Sequence, residues 1–364
     1  MISDPVLSVH IDAIKNNYQA IHTSSAVDVC PVLKADAYGL GAQAIAQALV
    51  PVGCPGVYVC TPSEGIAIRA VCPTLPIYIL NGITEGTKEV FKDYGLTPVI
   101  NDLQQFTLWE RLVVSHPTGC VINLETGLNR LGVPERDWSQ LTADRLKQAR
   151  ALFVLTHFAC AEPGITSDVN IERQQNVRQL AGYGRALSRF NLPGSINLDA
   201  YAINAQRYPV AQVRTGSALL HGFNQSQLSI ALSPTITLQA SIIQITSLTT
   251  EDFVGYGATY KVKQPIKSAV IGIGYAHGIP RSLSNCGKVF LTDGARWYTA
   301  PMIGRVSMNL INCDVSSIPQ EILDKGVVYL LNDHYTLEDM AHDAQRLDAE
   351  ISCSFHRMEV RYIP

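Results

Sequence analysis

Long apolar runs and export signals are both missing from this 364-residue sequence. No stretch approaches the length that spans a bilayer, and the N-terminal residues 1–5 do not read as part of a signal peptide. Charged residues make up only 16% of the chain and the net charge is −3, so neither nucleic acid nor an anionic membrane is an expected partner. We therefore expect a cytoplasmic protein.

Paired cysteines are missing as well. The nine cysteines are an odd number and form no CxxC motif. His157 with Cys160 and Cys353 with His356 have ligand-like spacing, but neither pair has a second pair nearby in the sequence. Several cysteines lie in apolar runs, where a free cysteine behaves as a small hydrophobe. The pattern favours a reducing compartment and predicts no structural metal.

What the chain does contain is a regular alternation of short apolar strands and polar-faced helices. Hydrophobic residues make up 47% of a chain long enough for two domains. Alternation of this kind predicts a parallel sheet covered on both faces, and eight strands favour a (β/α)8 TIM barrel over a doubly wound open sheet. The predicted strands are residues 27–34, 56–61, 76–80, 97–100, 120–125, 151–157, 195–199 and 212–219.

The residue pattern of the sequence changes after the last of these strands. Residues 229–364 are rich in short β-branched runs that are separated by turns, which is typical of a mostly β domain. We therefore predict a barrel over residues 13–226, followed by a β-rich C-terminal domain. That second domain takes in residues 1–12 and 227–364.

Lys34 ends the first predicted barrel strand. A lysine at the end of a buried strand is a candidate amine nucleophile, the kind that forms a Schiff base with an aldehyde. Tyr38 follows, and then Gly39 and Gly41 open a helical segment. The glycines also fit a dinucleotide-binding GxGxxA pattern, but no acidic residue ends the next strand, where a ribose would need one. In the helix after that strand, Ser63 is the predicted N-cap.

Barrel enzymes carry their chemistry at the C-terminal ends of the strands. The predicted strand ends, and the loop after the fifth strand, hold Lys34, Arg130, His157, Asp199 and Arg214. The four basic side chains among them predict a site for a phosphate or a carboxylate.

In the β-rich part, glycines flank two tyrosines. Tyr256 lies between Gly255 and Gly257, whose freedom lets the backbone bend and come close to another group. Tyr275 lies in a similar setting, and His277 beside it is expected at the surface. An ordinary aromatic residue in a β turn is the alternative for either tyrosine.

With these motifs, the chain resembles the alanine racemase family, whose members bind pyridoxal 5'-phosphate on a barrel followed by a β domain. The resemblance runs nearly end to end. It rests on Val32-Leu33-Lys34-Ala35-Asp36-Ala37-Tyr38-Gly39-Leu40-Gly41, on Glu125-Thr126-Gly127 with Arg130-Leu131-Gly132, on Thr156-His157-Phe158-Ala159, on Val213-Arg214 with Gly216, on the Tyr256 motif, on Gly274-Tyr275-Ala276 and on Gly304-Arg305-Val306-Ser307-Met308.

The resemblance implies a two-base racemisation. Lys34 would hold the cofactor and act as base on one face of the substrate Cα, and Tyr256 would act on the opposite face. In the family this tyrosine comes from the partner subunit, so a homodimer with active sites at its interface is implied. Arg130 would stabilise the phenolate of Tyr256. Arg214 would face the pyridine nitrogen and leave it unprotonated, because arginine is a poor proton donor.

The remaining site residues are implied in the same way. His157 would support Arg214 and the cofactor ring, and Tyr275 and Met308 would line the substrate site. The cofactor contacts implied are Lys34, Tyr38, His157, Arg214, Gly216, Ser217 and His356, with the phosphate on Tyr38 and the backbone of Gly216 and Ser217.

The sequence departs from the family pattern at four positions. Ala200 stands where a serine hydroxyl would contact phosphate, and Asn123 where many members carry a carbamylated lysine. Asn309 replaces an aspartate, and His356 aligns with an active-site tyrosine beside the substrate side chain. The change at His356 could admit serine or another small polar amino acid.

The function predicted is therefore interconversion of L- and D-alanine, an isomerase reaction that supplies D-alanine. A pyridoxal-phosphate racemase acting on serine or another small amino acid is the alternative. A related barrel decarboxylase, a non-enzymatic pyridoxal-phosphate-binding protein and an NAD-dependent enzyme are further alternatives. Arg214 disfavours the decarboxylase, and the β domain with Tyr256 disfavours the non-enzymatic carrier.

Overall fold

The computed structural model describes residues 4–161, 168–204, 207–222, 230–355 and 357–364. The first strand, β1 (Val6–His10), runs directly into α1 (Ile11–Ser25). The apolar side chains of this helix recur at helical spacing and face inwards, with Ile14, Tyr18 and Ile21 fully buried. The chain then enters a parallel sheet.

Among the described residues, eight parallel strands follow one another around a closed barrel. Val32 forms a parallel bridge to Tyr58, which joins the first and last members of the strand order and closes the sheet. The TIM barrel is therefore confirmed, and the open doubly wound sheet is excluded. The strands are β2 (Asp28–Pro31), β3 (Val57–Val59), β4 (Ile77–Ile79), β5 (Thr97–Ile100), β6 (Cys120–Glu125), with the two-residue β7 (Val133–Pro134) beside it, β8 (Ala151–Leu155), β9 (Gly194–Asn197) and β10 (Gln212–Thr215).

Helices cover the outside of this barrel and bury their apolar faces against the strands. They are α2 (Lys34–Gly39), α3 (Ala42–Leu49), α4 (Pro62–Val71), α5 (Lys88–Tyr94), α6 (Leu103–Leu112), α7 (Ala143–Gln148), α8 (Val169–Phe190), α9 (Leu198–Asn204) and α10 (Ser217–His221). Helix α4 begins two residues earlier than the predicted cap at Ser63 implies. Thr61, not Ser63, is its N-cap, because Thr61 and Glu64 form a capping box with Pro62 at the first helical position.

The first of the short helices, α2, is a left-handed turn. Ala35, Asp36, Ala37 and Tyr38 have φ values of 51°, 54°, 54° and 58°. Each non-glycine residue in this conformation costs about 1–2 kcal/mol, so the surroundings must hold the turn in place. At its end, the Asp36 backbone carbonyl accepts the Gly41 amide at 2.9 Å and its carboxylate accepts the Ala42 amide at 2.8 Å.

The second domain is mostly β, as predicted. Its strands are β11 (Ile236–Leu248), β12 (Phe253–Val254), β13 (Tyr260–Lys261), β14 (Ile266–Ile271), β15 (Lys288–Thr292), β16 (Trp297–Ile303), β17 (Ile311–Asp314), β18 (Val327–Leu331) and β19 (Glu359–Ile363), with helices α11 (Gln320–Leu323), α12 (Leu337–Ala344) and α13 (Asp348–Ser354). Strand β1 joins this domain's main sheet, between β11 and β19. The division into residues 13–226 and the rest stays a prediction.

The second domain packs directly on the left-handed turn. A Cβ on Gly39 would lie 2.5 Å from the backbone oxygen of Ser352 in α13, and a Cβ on Gly41 would overlap the hydroxyl of Tyr362 in β19. Beside this contact, His221 Nδ1 lies 2.7 Å from Asp348 Oδ2. The turn that begins at Lys34 is therefore enclosed by both domains. No helix within the described ranges is long and apolar enough to cross a bilayer.

The close approach at Gly39 predicts a large cost for a methyl group there. Gly39→Ala adds a backbone clash to an unfavourable φ of +84°, so we expect a loss of about 2–4 kcal/mol in the free energy of unfolding. Gly53→Ala is the matched control, because Gly53 has a φ of +88° with nothing within 4 Å of the added Cβ. It should lose only about 1 kcal/mol. Equal losses in urea denaturation would contradict the packing described.

The contact between His221 and Asp348 predicts an acid-sensitive component of stability. Burial raises the pKa of Asp348, but the hydrogen bond and charge of His221 outweigh it, so the net pKa lies below the ordinary 3.8. The stabilisation is therefore present above pH 3.8 and is lost as the pH falls through the lower folded-state value. Asp348→Asn should lose about 1 kcal/mol at pH 7, and the difference should shrink in acid. Asp12→Asn, at an exposed pair with Lys15, is the control.

Candidate active site

Lys34 and Tyr38 lie at the mouth of the barrel, both half-buried. Lys34 follows the C-terminal end of β2, and its Nζ is 5.9 Å from the centroid of the Tyr38 ring. The Tyr38 hydroxyl occupies the space that a Cβ on Gly216 would fill. Burial raises the pKa of Tyr38, and Cys353 and Asp348 raise it further. Tyr38 is therefore a neutral hydrogen-bond donor beside the turn that follows β10.

His157 follows β8 and lines the same mouth. Its side chain is exposed but lies among the strand ends, as expected for a group in the wall of an open cavity. Loss of hydration lowers its pKa to about 3, and the positive charges of Arg214, Arg130 and Lys34 contribute to the shift. The imidazole is therefore neutral near pH 7, and three cations act on it. Direct support of Arg214 by His157 stays a prediction.

Arg214 lies at the floor of the mouth, on β10, and is buried. It donates to Ser195 Oγ at 2.7 Å and to the Thr156 carbonyl at 2.5 Å. Ser195 in turn donates to Gln212 Oε1 at 3.2 Å, and the Tyr58 hydroxyl donates to the same oxygen at 2.6 Å. Burial lowers the pKa of Arg214. This network of barrel side chains fixes the orientation of the guanidinium.

Gln179 on α8 is a site residue that the sequence reading missed. It is fully buried, and its Nε2 donates to the His157 carbonyl at 2.9 Å and to Thr126 Oγ1 at 3.3 Å. Its Oε1 accepts the Ala159 amide at 2.8 Å. One side chain thus joins the loops after β6 and β8. The sequence signal was weak, since Gln179 is one polar residue among many on a long helix.

Arg130 is exposed on the loop after β6. The Glu125 carboxylate accepts the Arg130 amide at 3.3 Å and the Gly127 amide at a shorter distance, which folds this loop back on the strand end. At the same strand end, Asn123 donates to Asn101 Oδ1 at 2.7 Å. An amide pair therefore occupies this place, and its correspondence to a modified lysine stays a prediction.

Asp199 lies in α9, whereas the sequence placed it at the end of a strand. It is partly buried, its pKa is raised by burial, and Asn197 Nδ2 lies 3.5 Å from its Oδ2. The adjacent Ala200 is fully buried and offers no hydroxyl, and the Tyr201 hydroxyl donates to the Ser25 carbonyl at 2.6 Å.

The side chain of Tyr256 is 71% exposed on the second domain. Gly255 and Gly257 adopt φ values of 76° and 73°, so the glycines on either side form a turn that most residues avoid. This turn packs against Gly304 and Arg305. Within one chain, Tyr256 therefore projects from the surface.

Tyr275 and Met308 form a second exposed group on this domain, with 43% and 55% of their surface accessible. The Tyr275 amide donates to the Ser307 carbonyl at 3.0 Å, and the Ala276 amide to the Met308 carbonyl at 2.8 Å. The two predicted substrate residues are thus held side by side. The expected surface position of His277 is wrong, because its ring is buried and Nδ1 accepts the Gly274 amide at 3.1 Å.

Two predicted cofactor residues remain. Ser217 begins α10, and its side chain forms a hydrogen bond that helps to lower the pKa of Asp348. His356 lies outside the described residues. Within the described ranges, no group of three or more His, Cys, Asp or Glu side chains is arranged to hold a metal ion.

Comparisons with known families and proteins cover almost the whole chain. The model of the alanine racemase N-terminal domain matches residues 9–223, and that of the C-terminal domain matches residues 235–362. An alanine racemase of Brucella suis is 33% identical over 95% of this chain and 90% of its own length. A catabolic alanine racemase of Agrobacterium fabrum is 32% identical over 95% of this chain and 88% of its own.

Solved structures agree with these matches. Alanine racemase from Bartonella henselae with covalently bound pyridoxal phosphate is 27% identical, with a TM-score of 0.84 over 99% of this chain and 100% of its own. The biosynthetic alanine racemase of Pseudomonas aeruginosa is 25% identical, with a TM-score of 0.86 over 100% of both chains. The N-terminal and C-terminal domain models match in this order, and the barrel mouth holds the residues described above. This chain therefore belongs to the alanine racemase family.

Proposed function

We propose that this chain interconverts L- and D-alanine with pyridoxal 5'-phosphate as its cofactor. The observation that carries the proposal is the barrel mouth, where a lysine amine and a buried arginine act on one imidazole and a neutral tyrosine lies beside the lysine. Family membership and the relatives named alanine racemase support the same reaction.

The residues at the mouth fit this cofactor. An amine is needed to bind its aldehyde, and Lys34 supplies one. The phosphate needs hydrogen-bond donors, which Tyr38 and the amides of Gly216 and Ser217 would supply at the turn where a Cβ would displace the Tyr38 hydroxyl. When bound, pyridoxal phosphate withdraws electrons from the substrate Cα and makes its proton removable.

Arg214 controls the electronic character of the site. Its guanidinium is fixed by Ser195 and the Thr156 carbonyl, and it faces the ring nitrogen in our proposal. Arginine keeps its protons, so it donates a hydrogen bond without giving up a proton. Withdrawal of electrons by the ring is thereby limited, which favours return of the proton to Cα over side reactions. His157, neutral near pH 7, would lie beside the ring when the cofactor is bound.

Racemisation needs a proton removed from one face of Cα and returned on the other. We assign the Lys34 amine to one face and Tyr256 of the partner subunit to the other. Support for the second assignment is the 71% exposure of Tyr256 and the neighbouring exposed pair of Tyr275 and Met308, which would line the substrate site across a homodimer interface. Arg130 would lie beside the tyrosine phenolate.

A cytoplasmic location belongs to the same proposal.

The proposed reaction predicts exchange of the Cα hydrogen. In deuterium oxide, the purified protein loaded with pyridoxal phosphate should introduce deuterium at Cα of both alanine enantiomers while the optical rotation decays to zero. Because both faces have a base, each enantiomer should yield product of either configuration. Mass spectrometry and chiral chromatography measure the two outcomes. A parallel assay with serine tests the alternative substrate.

Lys34→Ala is the control for this assay. The variant should lose at least about 10³-fold in exchange rate, since one residue both anchors the cofactor and removes the proton. Borohydride should fix the cofactor covalently on Lys34 in the unaltered protein and leave the variant unlabelled. No exchange with any small amino acid by the loaded, unaltered protein would overturn the proposed function.

A shared active site predicts complementation between two inactive variants. Lys34→Ala and Tyr256→Phe should each be nearly inactive as homodimers. After random subunit exchange, half of the dimers are mixed and each mixed dimer has one intact site, so the mixture should recover about a quarter of the original activity.

Lys34→Ala mixed with Arg214→Ala is the matched control, because both changes lie on the barrel side and leave no intact site in a mixed dimer. This pair should not recover. If the first mixture shows only the summed activities of its two homodimers, Tyr256 does not act across the subunit interface.

A further inference from the structure

We propose that Glu64 is a positioning residue for Lys34. Its carboxylate holds the first amide of the left-handed turn α2 and thereby sets where the Lys34 amine projects. The inference rests on the proposed function, in which Lys34 carries the cofactor and moves the proton. Neither the capping role of Glu64 in α4 nor the motif around Lys34 implies this second role.

The two carboxylate oxygens of Glu64 have different partners. Oε1 accepts the Ala35 amide at 2.7 Å. Oε2 accepts the Cys60 amide at 2.8 Å and the Thr61 amide at 3.0 Å. Hydrogen bonds to an ionised acceptor are stronger than neutral ones. One oxygen thus closes the start of α4, while the other reaches across to the neighbouring strand end, at the residue after Lys34.

The Ala35 amide is the place where such support is needed. Ala35 is the first of four non-glycine residues with positive φ, and each of them disfavours the turn. The first amides of a helical turn have no partner within it. Asp36 secures the end of the turn through the amides of Gly41 and Ala42. Glu64 secures its start.

Hydrogen bonds hold the backbone both before and after Lys34. The Val32 amide donates to the Thr215 carbonyl at 2.7 Å, and the Leu33 amide to the Tyr58 carbonyl at 2.8 Å. These bonds fix the residues before Lys34 to the two neighbouring strands, and the bond from Ala35 to Glu64 fixes the residue after it. A base that must reach one face of Cα needs such placement, because a misplacement of about 1 Å costs about 100-fold in rate.

Glu64→Gln separates the two roles of the carboxylate. The carboxamide oxygen can keep the two bonds at Cys60 and Thr61, which turns its NH2 group towards the Ala35 amide, where two donors then face each other. The start of α4 is preserved, and the support of the turn is lost. We expect kcat to fall about tenfold or more while KM stays within about twofold.

Two readouts do not depend on turnover. Hydrogen–deuterium exchange of the cofactor-free protein should speed up about tenfold for the amides of residues 33–41 and not elsewhere. Capture of added pyridoxal phosphate on Lys34, trapped with borohydride at successive times, should slow by a similar factor.

Asp339→Asn is the matched control. Asp339 occupies the same capping-box position in α12, where its carboxylate accepts the Thr336 amide at 2.8 Å, in the second domain. The control should leave kcat, exchange of residues 33–41 and capture within about twofold of the unaltered protein, whatever it does to melting temperature.

The outcomes separate this inference from the proposed function. Unchanged exchange over residues 33–41 in Glu64→Gln would overturn the positioning role, even if the unaltered protein racemises alanine. Equal losses of kcat in Glu64→Gln and Asp339→Asn would overturn it too, since a general loss of stability would then suffice. An unaltered protein that neither captures the cofactor nor exchanges the Cα hydrogen of alanine would overturn the proposed function. In that case, faster amide exchange of residues 33–41 in Glu64→Gln would still support the contact between Glu64 and Ala35.

Discussion

The left-handed turn after β2 is the constraint on which the arrangement of the site depends. Four residues that disfavour positive φ adopt it, and this bends the chain sharply at the barrel mouth just after Lys34. The same bend brings the Tyr38 hydroxyl into contact with Gly216 and packs Gly39 against α13. The backbone cost of this one turn is thus offset by contacts with both domains, and the Lys34 amine and the Tyr38 hydroxyl gain fixed positions relative to each other.

Much of the fold could be predicted from the sequence, because strand and helix periodicity carry it. Strands β5 and β6 have their predicted bounds, and the barrel follows from the alternation of buried strands with helices. The left-handed turn could not be predicted, since neither Ala35 nor Ala37 favours positive φ and the bond from Ala35 to Glu64 depends on the tertiary fold. Ser63 is also a good N-cap residue type, but only Thr61 has the capping-box spacing to Glu64.

The site was predictable where its chemistry requires a particular residue type at a strand end. Lys34, His157 and Arg214 met that condition, and the structure brings them together. The residues that orient them were not predictable, because Ser195 and Gln179 act through ordinary hydrogen bonds that depend on which barrel elements become neighbours. The side chains of the second domain raise a different difficulty, since Tyr256 has no neighbour among the described residues of the barrel mouth of its own chain to which its sequence could be matched, and its action in another subunit is a proposal.

Strand β1 pairs with β11 and β19, so Val6 lies opposite Gln239 on one side and Glu359 on the other. It is synthesised before the barrel, yet both of its neighbours are synthesised after it. A barrel built from consecutive units can fold while the ribosome is still at work, whereas pairing over such sequence separation is slow. Tyr362 of β19 also covers Gly41 behind the Lys34 turn. The turn therefore receives its outer support last, and we expect catalytic competence to appear with completion of the second domain, not with the barrel.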